Sequence, residues 1–341
     1  VVASSWPLWL RGLHIGDRAG LPLSPVFAVL WVIGGACAVA AAWQAKYHRL
    51  AALTLAGAAG LCVCITFLWF SAPDLALTQI VVEVVTTILI LLGLRWLPKR
   101  DENLRPSSQA QERRTLLRRW RDMALAIAAG GGMTVLALAM MSRPFPESTS
   151  TFFLERALSE GGGTNVVNVT LVDFRGYDTF GEITVLGIAG VGVLAMLDGF
   201  KVRRPAQDES GRLWSFARQP LLLRVAARLI LPMALVMSVY IYWRGHNLPG
   251  GGFIAGLITA VALVLQYMAQ GQERAEALLH GAQGRRFTRW IGTGLAIAGL
   301  TGVGAWLWER NFLTSAHGHP HVPVFGELPL ASAALFDLGV Y

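Results

Sequence analysis

The chain has 341 residues, 54% of them hydrophobic and only 15% charged, with a mean hydropathy of +0.50. That balance excludes an ordinary soluble domain and indicates an all-α, polytopic membrane helix bundle. The net charge of +8 would suggest nucleic acid for a soluble protein, but the basic residues fall between apolar runs, so it implies a membrane surface and no nucleic-acid partner.

Residues 1–24 read as the end of something longer. Pro25–Trp43 and Leu50–Phe70 are the first two expected spans. Cys37, Cys62 and Cys64 lie inside them, an odd number in apolar surroundings, which argues for small core residues rather than disulfides or metal ligands. The third span, Leu75–Leu97, has 23 residues, enough for a hydrocarbon core that needs ~20. Its charges are Glu83 and, near the end, Arg95. Glu83 sits close to the midpoint, where an ionised carboxylate costs about 2.5–3.5 kcal/mol on insertion scales. Gln79, Glu83 and Thr87 recur every four residues with Thr86 beside them, a polar stripe that should face protein or water. Glu83 is then either a group that exchanges a proton or binds a cation, or a neutral packing residue hydrogen-bonded to a neighbouring helix.

Pro98–Arg121 reads as a solvated basic loop with an amphipathic surface helix over Gln109–Arg121, followed by a fourth span, Asp122–Met141, interrupted at Gly130, Gly131 and Gly132. Ser148–Glu160 suggests a short surface helix. Asn165–Phe180 is apolar but carries Asp173, Arg175 and Asp178, and should be re-entrant rather than spanning. Ile183–Met196 is the fifth span, entered at Glu182. A basic loop, Lys201–Arg218, precedes the sixth, Leu221–Trp243. The tight connection Arg244–Gly252 leads to the seventh, Phe253–Gln270. After a polar loop comes the eighth, Arg289–Trp308. A ninth begins at Leu330, but its 12 residues reach only ~18 Å, too little to cross. With the N-terminus outside, 22 of the 29 lysines and arginines fall on the inner side, so that orientation is expected.

Several polar groups could carry chemistry. Asp173, Asp178 and Glu182 lie within ten residues and are expected to form one cluster with Arg175 as counter-charge, either a structural cap or the mouth of an ion path. Asp74 opens the third span. His246, Asn247 and Pro249 sit at a glycine-rich break whose backbone carbonyls either coordinate a small cation or simply turn the chain. Asp337 repeats the buried carboxylate. His317, His319 and His321 read as an exposed loop rather than a metal site. The glycine clusters lack the strand-then-helix setting of phosphate loops, so no soluble-enzyme motif survives.

Four strings carry a family resemblance. FSAPDLALTQIVVEVV (Phe70–Val85) and NVVNVTLVDFRGYDTFGEITVLGIAG (Asn165–Gly190) resemble the C-terminal part of the large A-type component of Mrp-type multisubunit sodium/proton antiporters. YIYWRGHNLPGGGFIAG (Tyr240–Gly256) and FGELPLASAALFDLGVY (Phe325–Tyr341) resemble the B-type component. The resemblance implies an A-type region over residues 1–200 fused to a truncated B-type region over 201–341. It implies a secondary transporter subunit, not an enzyme, in a cell-membrane complex with other Mrp subunits and lipid. No cofactor is implied, Na+ and H+ being the cargo. The implied ion path comprises Glu83, Thr87 and Asp74, then Asp173, Asp178 and Glu182, and in the B-type motif His246, Pro249 and Phe253. Two alternatives stay open: a scaffold bridging antiporter-like subunits, and the equivalent module of a membrane-bound hydrogenase or complex I-like assembly.

Overall fold

The computed structural model describes residues 24–45, 48–96, 109–141, 148–199, 221–278, 285–318, 321–322, 326–327 and 330–341. Residues Pro98–Ser108 of the first basic loop, the whole Lys201–Arg218 loop and His319 lie outside them. Helix α1 is Pro25–Gln44, α2 Arg49–Trp69, α3 Pro73–Trp96, α4 Gln109–Met141, α5 Ser150–Gly161, α6 Val166–Val169 and α7 Gly176–Asp198. Then follow α8 Leu221–Arg244, α9 Gly252–Gln270, α10 Gln272–Leu278, α11 Arg285–Gly304 and α12 Ser332–Val340. Among the described residues, eight helices are long and apolar enough to cross a membrane: α1, α2, α3, α4, α7, α8, α9, and α11 with the turn that extends it. The all-α polytopic bundle is therefore what forms. Helical spans satisfy every backbone polar group internally, as hydrocarbon demands.

The chain divides into two compact units, Val1–Val29 with Trp96–Thr149, and Leu30–Arg95 with Ser150–Tyr341. The first unit holds α4. The separate surface helix expected over Gln109–Arg121 does not end there; it runs without a break into the expected span, giving one helix of 33 residues. Gly130–Gly132 do not interrupt it. Glycine costs about 1 kcal/mol against alanine in a helix, less than leaving backbone groups unpaired in hydrocarbon.

In the second unit, α2 and α3 form a hairpin through Phe70–Ala72, with Ser71 in the left-handed region at φ 56°. The Cys64 thiol donates to the Ala76 carbonyl at 3.3 Å across it. Helix α6 continues into a π-helical turn, Thr170–Phe174, and α7 starts at Gly176, seven residues before the expected Ile183. The reason is local: Asp178 lies in the first turn of α7, where the helix dipole favours a carboxylate, and it pairs with Arg175. Helix α10 occupies part of the expected polar loop after Gln270. The loop after α11 contains two minimal antiparallel pairs, His317–Gly318 with Leu330–Ala331 and His321–Val322 with Gly326–Glu327.

Two apolar clusters hold this unit. Val172, Ala298, Leu313, Ala333 and Phe336 are buried together, with Phe180, Ile183 and Phe312 packed against them. Val81 of α3 joins Ile241 of α8 and Ile254 and Ala255 of α9 in the second. The helix that carries Glu83 is thereby seated on the α8–α9 hairpin.

Candidate functional site

The polar residues of the second unit gather around the connection from Arg244 to Gly252. That connection must turn sharply between two spanning helices, and it uses Gly251 at φ 117° and Gly252, where a β-carbon would stand 2.0 Å from the Asp337 carbonyl oxygen. Arg244 Nε closes the turn by donating to the Pro249 carbonyl at 2.8 Å.

Two asparagine–aspartate pairs grip this turn. Asp74 Oδ1 accepts from the Gly250 amide at 2.9 Å and from Asn165 Nδ2 at 3.3 Å. Asp337 Oδ2 accepts from the Gly252 amide at 2.8 Å, and the Asn168 side chain bonds to the same carboxylate. Asn165 and Asn168 stand three apart, flanking and within α6, so both reach one side of the segment. Asn165 Nδ2 also donates to the carbonyls of Gly245 and Leu248, each at 3.0 Å. All four side chains are buried. The turn carbonyls that sequence reasoning offered to a cation are thus held by the Asn165 amide. Thr164 extends the junction, its hydroxyl donating to the Asn247 carbonyl at 2.8 Å.

Next to this joint lies a second polar group. Asp173 Oδ1 accepts from the Ser315 amide at 2.8 Å, and Arg310 Nη1 donates to the Ser315 carbonyl at 2.7 Å. Burial pushes the Asp173 carboxyl above the usual carboxylate range, with the Ser315 amide, His246, His317 and Arg310 opposing it. The His246 ring pairs with the Gly161 carbonyl at 3.0 Å. Burial holds His246 below its ordinary value, although the Gly161 carbonyl and Asp173 favour its charged form and His317 opposes it.

The expected single cluster of Asp173, Asp178 and Glu182 is not what the structure contains. Asp173 turns inward to Ser315, Asp178 pairs with Arg175 at an exposed position, and Glu182 is exposed on α7. Asp173 lies in the π turn Thr170–Phe174, while Asp178 and Glu182 belong to α7, which starts at Gly176. Phe253 is also exposed, at 41%, and Pro249 is half-buried.

Glu83 is half-buried on α3, away from the joint. Gln79 Nε2 donates to its Oε2 at a long 3.5 Å, and the carboxylate lies over Gly57 and Gly60 of α2. Thr87, one turn further on, is half-buried as well. The polar stripe therefore faces protein at Glu83. Among the described residues no group of three or more His, Cys, Asp or Glu side chains is arranged to hold a metal ion.

Sequence reasoning missed Asn165 and Asn168, although two asparagines inside the apolar string NVVNV were a visible signal. It also missed the trio Ser238, Thr259 and Tyr341. Their hydroxyls lie 2.7–3.0 Å apart where α8, α9 and the end of the chain meet.

Comparison with known proteins adds the family. A family model for a domain related to the MnhB subunit of Na+/H+ antiporter matches residues 222–341. The MbhD and MbhE models, for the D-type and E-type components of MBH, match residues 32–99 and 117–212. The probable K(+)/H(+) antiporter A/B protein of Rhizobium meliloti is 46% identical over 100% of this chain and 35% of its own length. The B-type Na(+)/H(+) antiporter component of Bacillus subtilis is 40% identical over 36% of this chain and 82% of its own length. Among solved structures, that of the Mrp complex from Dietzia sp. superimposes with a TM-score of 0.75 at 30% identity, over 99% of this chain and 36% of that one. The chain thus spans about a third of the A/B relative it matches end to end.

Proposed function

The chain belongs to the Mrp antiporter subunits, an A-type C-terminal part joined to a B-type part, and on that premise we propose that it works as a membrane subunit of a complex exchanging a monovalent cation for protons. It is a secondary transporter subunit, with other Mrp subunits as partners and with transported ions rather than a bound cofactor. The A-type part is taken to end near residue 200 and the B-type part to start at 201. Glu83 is the group on the ion path.

The observation that supports this is the setting of Glu83. A carboxylate lies deep in a 24-residue apolar helix and faces a neighbouring helix, half-buried, instead of pointing away from the protein. An intramembrane carboxylate is costly, and its retention at such a position is the usual mark of a proton or ion path. Asp74 has a different part. Its carboxylate is occupied by the Gly250 amide and Asn165, so it holds the junction at the head of the same helix.

The test is Glu83→Gln in the assembled complex, which keeps shape and hydrogen bonding but cannot ionise. Exchange in inverted vesicles is expected to fall at least about tenfold at unchanged complex abundance, a barrier of about 1.4 kcal/mol or more. The assay is run with sodium and with potassium, since relatives are named for either cation. Full exchange by a normally assembled Gln variant would reduce these helices to a scaffold.

A further inference from the structure

We propose that Gly60 is a positioning residue for Glu83: it leaves a notch in α2 that fixes where the carboxylate sits. This rests on Glu83 being the functional group, and adds what holds it there.

The geometry is specific to one position. A β-carbon on Gly60 would stand 2.2 Å from Glu83 Oε2, 2.5 Å from its carboxyl carbon and 3.0 Å from Oε1. Carbon and its non-bonded neighbours settle at about 3.5–4.0 Å, so no side chain fits there while Glu83 keeps its place. Gly57, one turn away on the same face, is different: a β-carbon there would lie 3.7 Å from Oε1, an ordinary contact. The two residues look alike in the sequence, yet only Gly60 is filled by the carboxylate.

Hydrogen bonding holds the carboxylate only loosely. Among the described residues its side-chain partner is Gln79, at a long 3.5 Å and on its own helix. A glutamate has several staggered rotamers. The notch selects among them by giving the carboxyl group room against bare helix backbone. Alanine at position 60 closes that room and swings the carboxylate out of the α2–α3 seam, with the backbone of both helices unchanged.

The experiment uses the whole complex in vesicles and reads exchange together with complex abundance. Gly60→Ala is expected to lower exchange about tenfold or more, against the ~100-fold that a 1 Å misplacement costs at a reacting centre. Gly57→Ala should stay near the parent. Glu83→Asp draws the carboxylate back by one carbon–carbon bond, about 1.5 Å. Alone it empties the notch and lowers exchange. Combined with Gly60→Ala it should recover several-fold over either single change, which a general packing role for Gly60 would not produce. Unimpaired exchange in Gly60→Ala, an equal loss in Gly57→Ala, or a double variant no better than Gly60→Ala each overturns the proposal. Should the Gly60→Ala complex fail to accumulate, Gly60→Ala/Glu83→Ala decides. Deleting the carboxylate must restore accumulation, and continued loss overturns the notch. That arm does not depend on whether Glu83 titrates, so failure of the notch and failure of the ion-path reading are told apart.

Discussion

At the scale of single residues, one buried environment pushes two titratable groups in opposite directions. The Asp173 carboxyl is raised and the His246 imidazole lowered, both chiefly by burial, with His317 and Arg310 as the other charges facing them. The signs give a pH dependence. A raised carboxyl contributes stability below its ordinary value and loses it as pH rises through its shifted value. A lowered imidazole does the reverse: the unfolded chain takes up the proton first, so stability falls as pH drops below about 6.5. Acidification below about pH 6.5 therefore acts against stability through His246, while protonation of Asp173 works in the opposite sense. The thermal midpoint of the complex is therefore expected to fall between about pH 7.5 and about pH 5.5, and His246→Gln, which stays neutral, should flatten that slope. An unchanged slope in the variant would assign the effect to other histidines.

At the scale of elements, the connection between α8 and α9 is held from two sides by Asp74 with Asn165 and by Asp337 with Asn168. Asn165 is the more heavily used, since its amide serves one carboxylate and two carbonyls. Asn165→Ala strands those buried acceptors, and a buried unsatisfied group costs about 1–3 kcal/mol. The variant complex should melt lower and accumulate less, while Glu182→Gln, at an exposed position, should change neither. A parental melt for Asn165→Ala would remove the joint from the list of what holds the unit together. The asparagines of this joint stand out in the sequence, but their pairing does not, for a physical reason. Asn165 and Asp74 are 91 positions apart, and nothing local marks the pair. The spanning helices were legible because length and apolarity decide them directly, and Glu83 was legible because a charge in such a run stands out. The Asp173–Asp178–Glu182 grouping rests on nearness along the chain alone, and Asp173, inside the π turn, is taken up by the Ser315 amide instead. The continuous α4 was not legible because the composition changes from basic to apolar near Asp122, which reads as two elements, yet the backbone hydrogen-bond ladder runs unbroken through that point and through Gly130–Gly132.

At the scale of the whole chain, the A-type and B-type parts share their packing. Val172, Phe180 and Ile183 precede residue 200, and they pack with Ala298, Leu313 and Phe336, which follow residue 220. Val81 packs likewise with Ile241, Ile254 and Ala255. The polar joint crosses the same divide, with Asp74 and Asn165 on one side and Gly245, Leu248 and Gly250 on the other. In a membrane, helix association comes from close packing and polar contacts, because lipid is as apolar as the helix surfaces. Those contacts do not need the covalent link between residues 200 and 221. A tether adds only effective concentration, which matters when the contacts alone are weak. Breaking the backbone between residues 200 and 221, with both parts made beside the other subunits of the complex, should therefore leave a complex in which the two parts copurify and exchange persists. In that split form the joint should become limiting. Asn165→Ala, which in the fused chain only lowers the melt and the yield, should release the B-type part during purification, because nothing then holds it at high local concentration. If the split halves fail to copurify even with the joint intact, the linker itself organises the interface. If they copurify as well with Asn165→Ala as without it, the apolar clusters alone carry the association and the joint serves only to shape the turn.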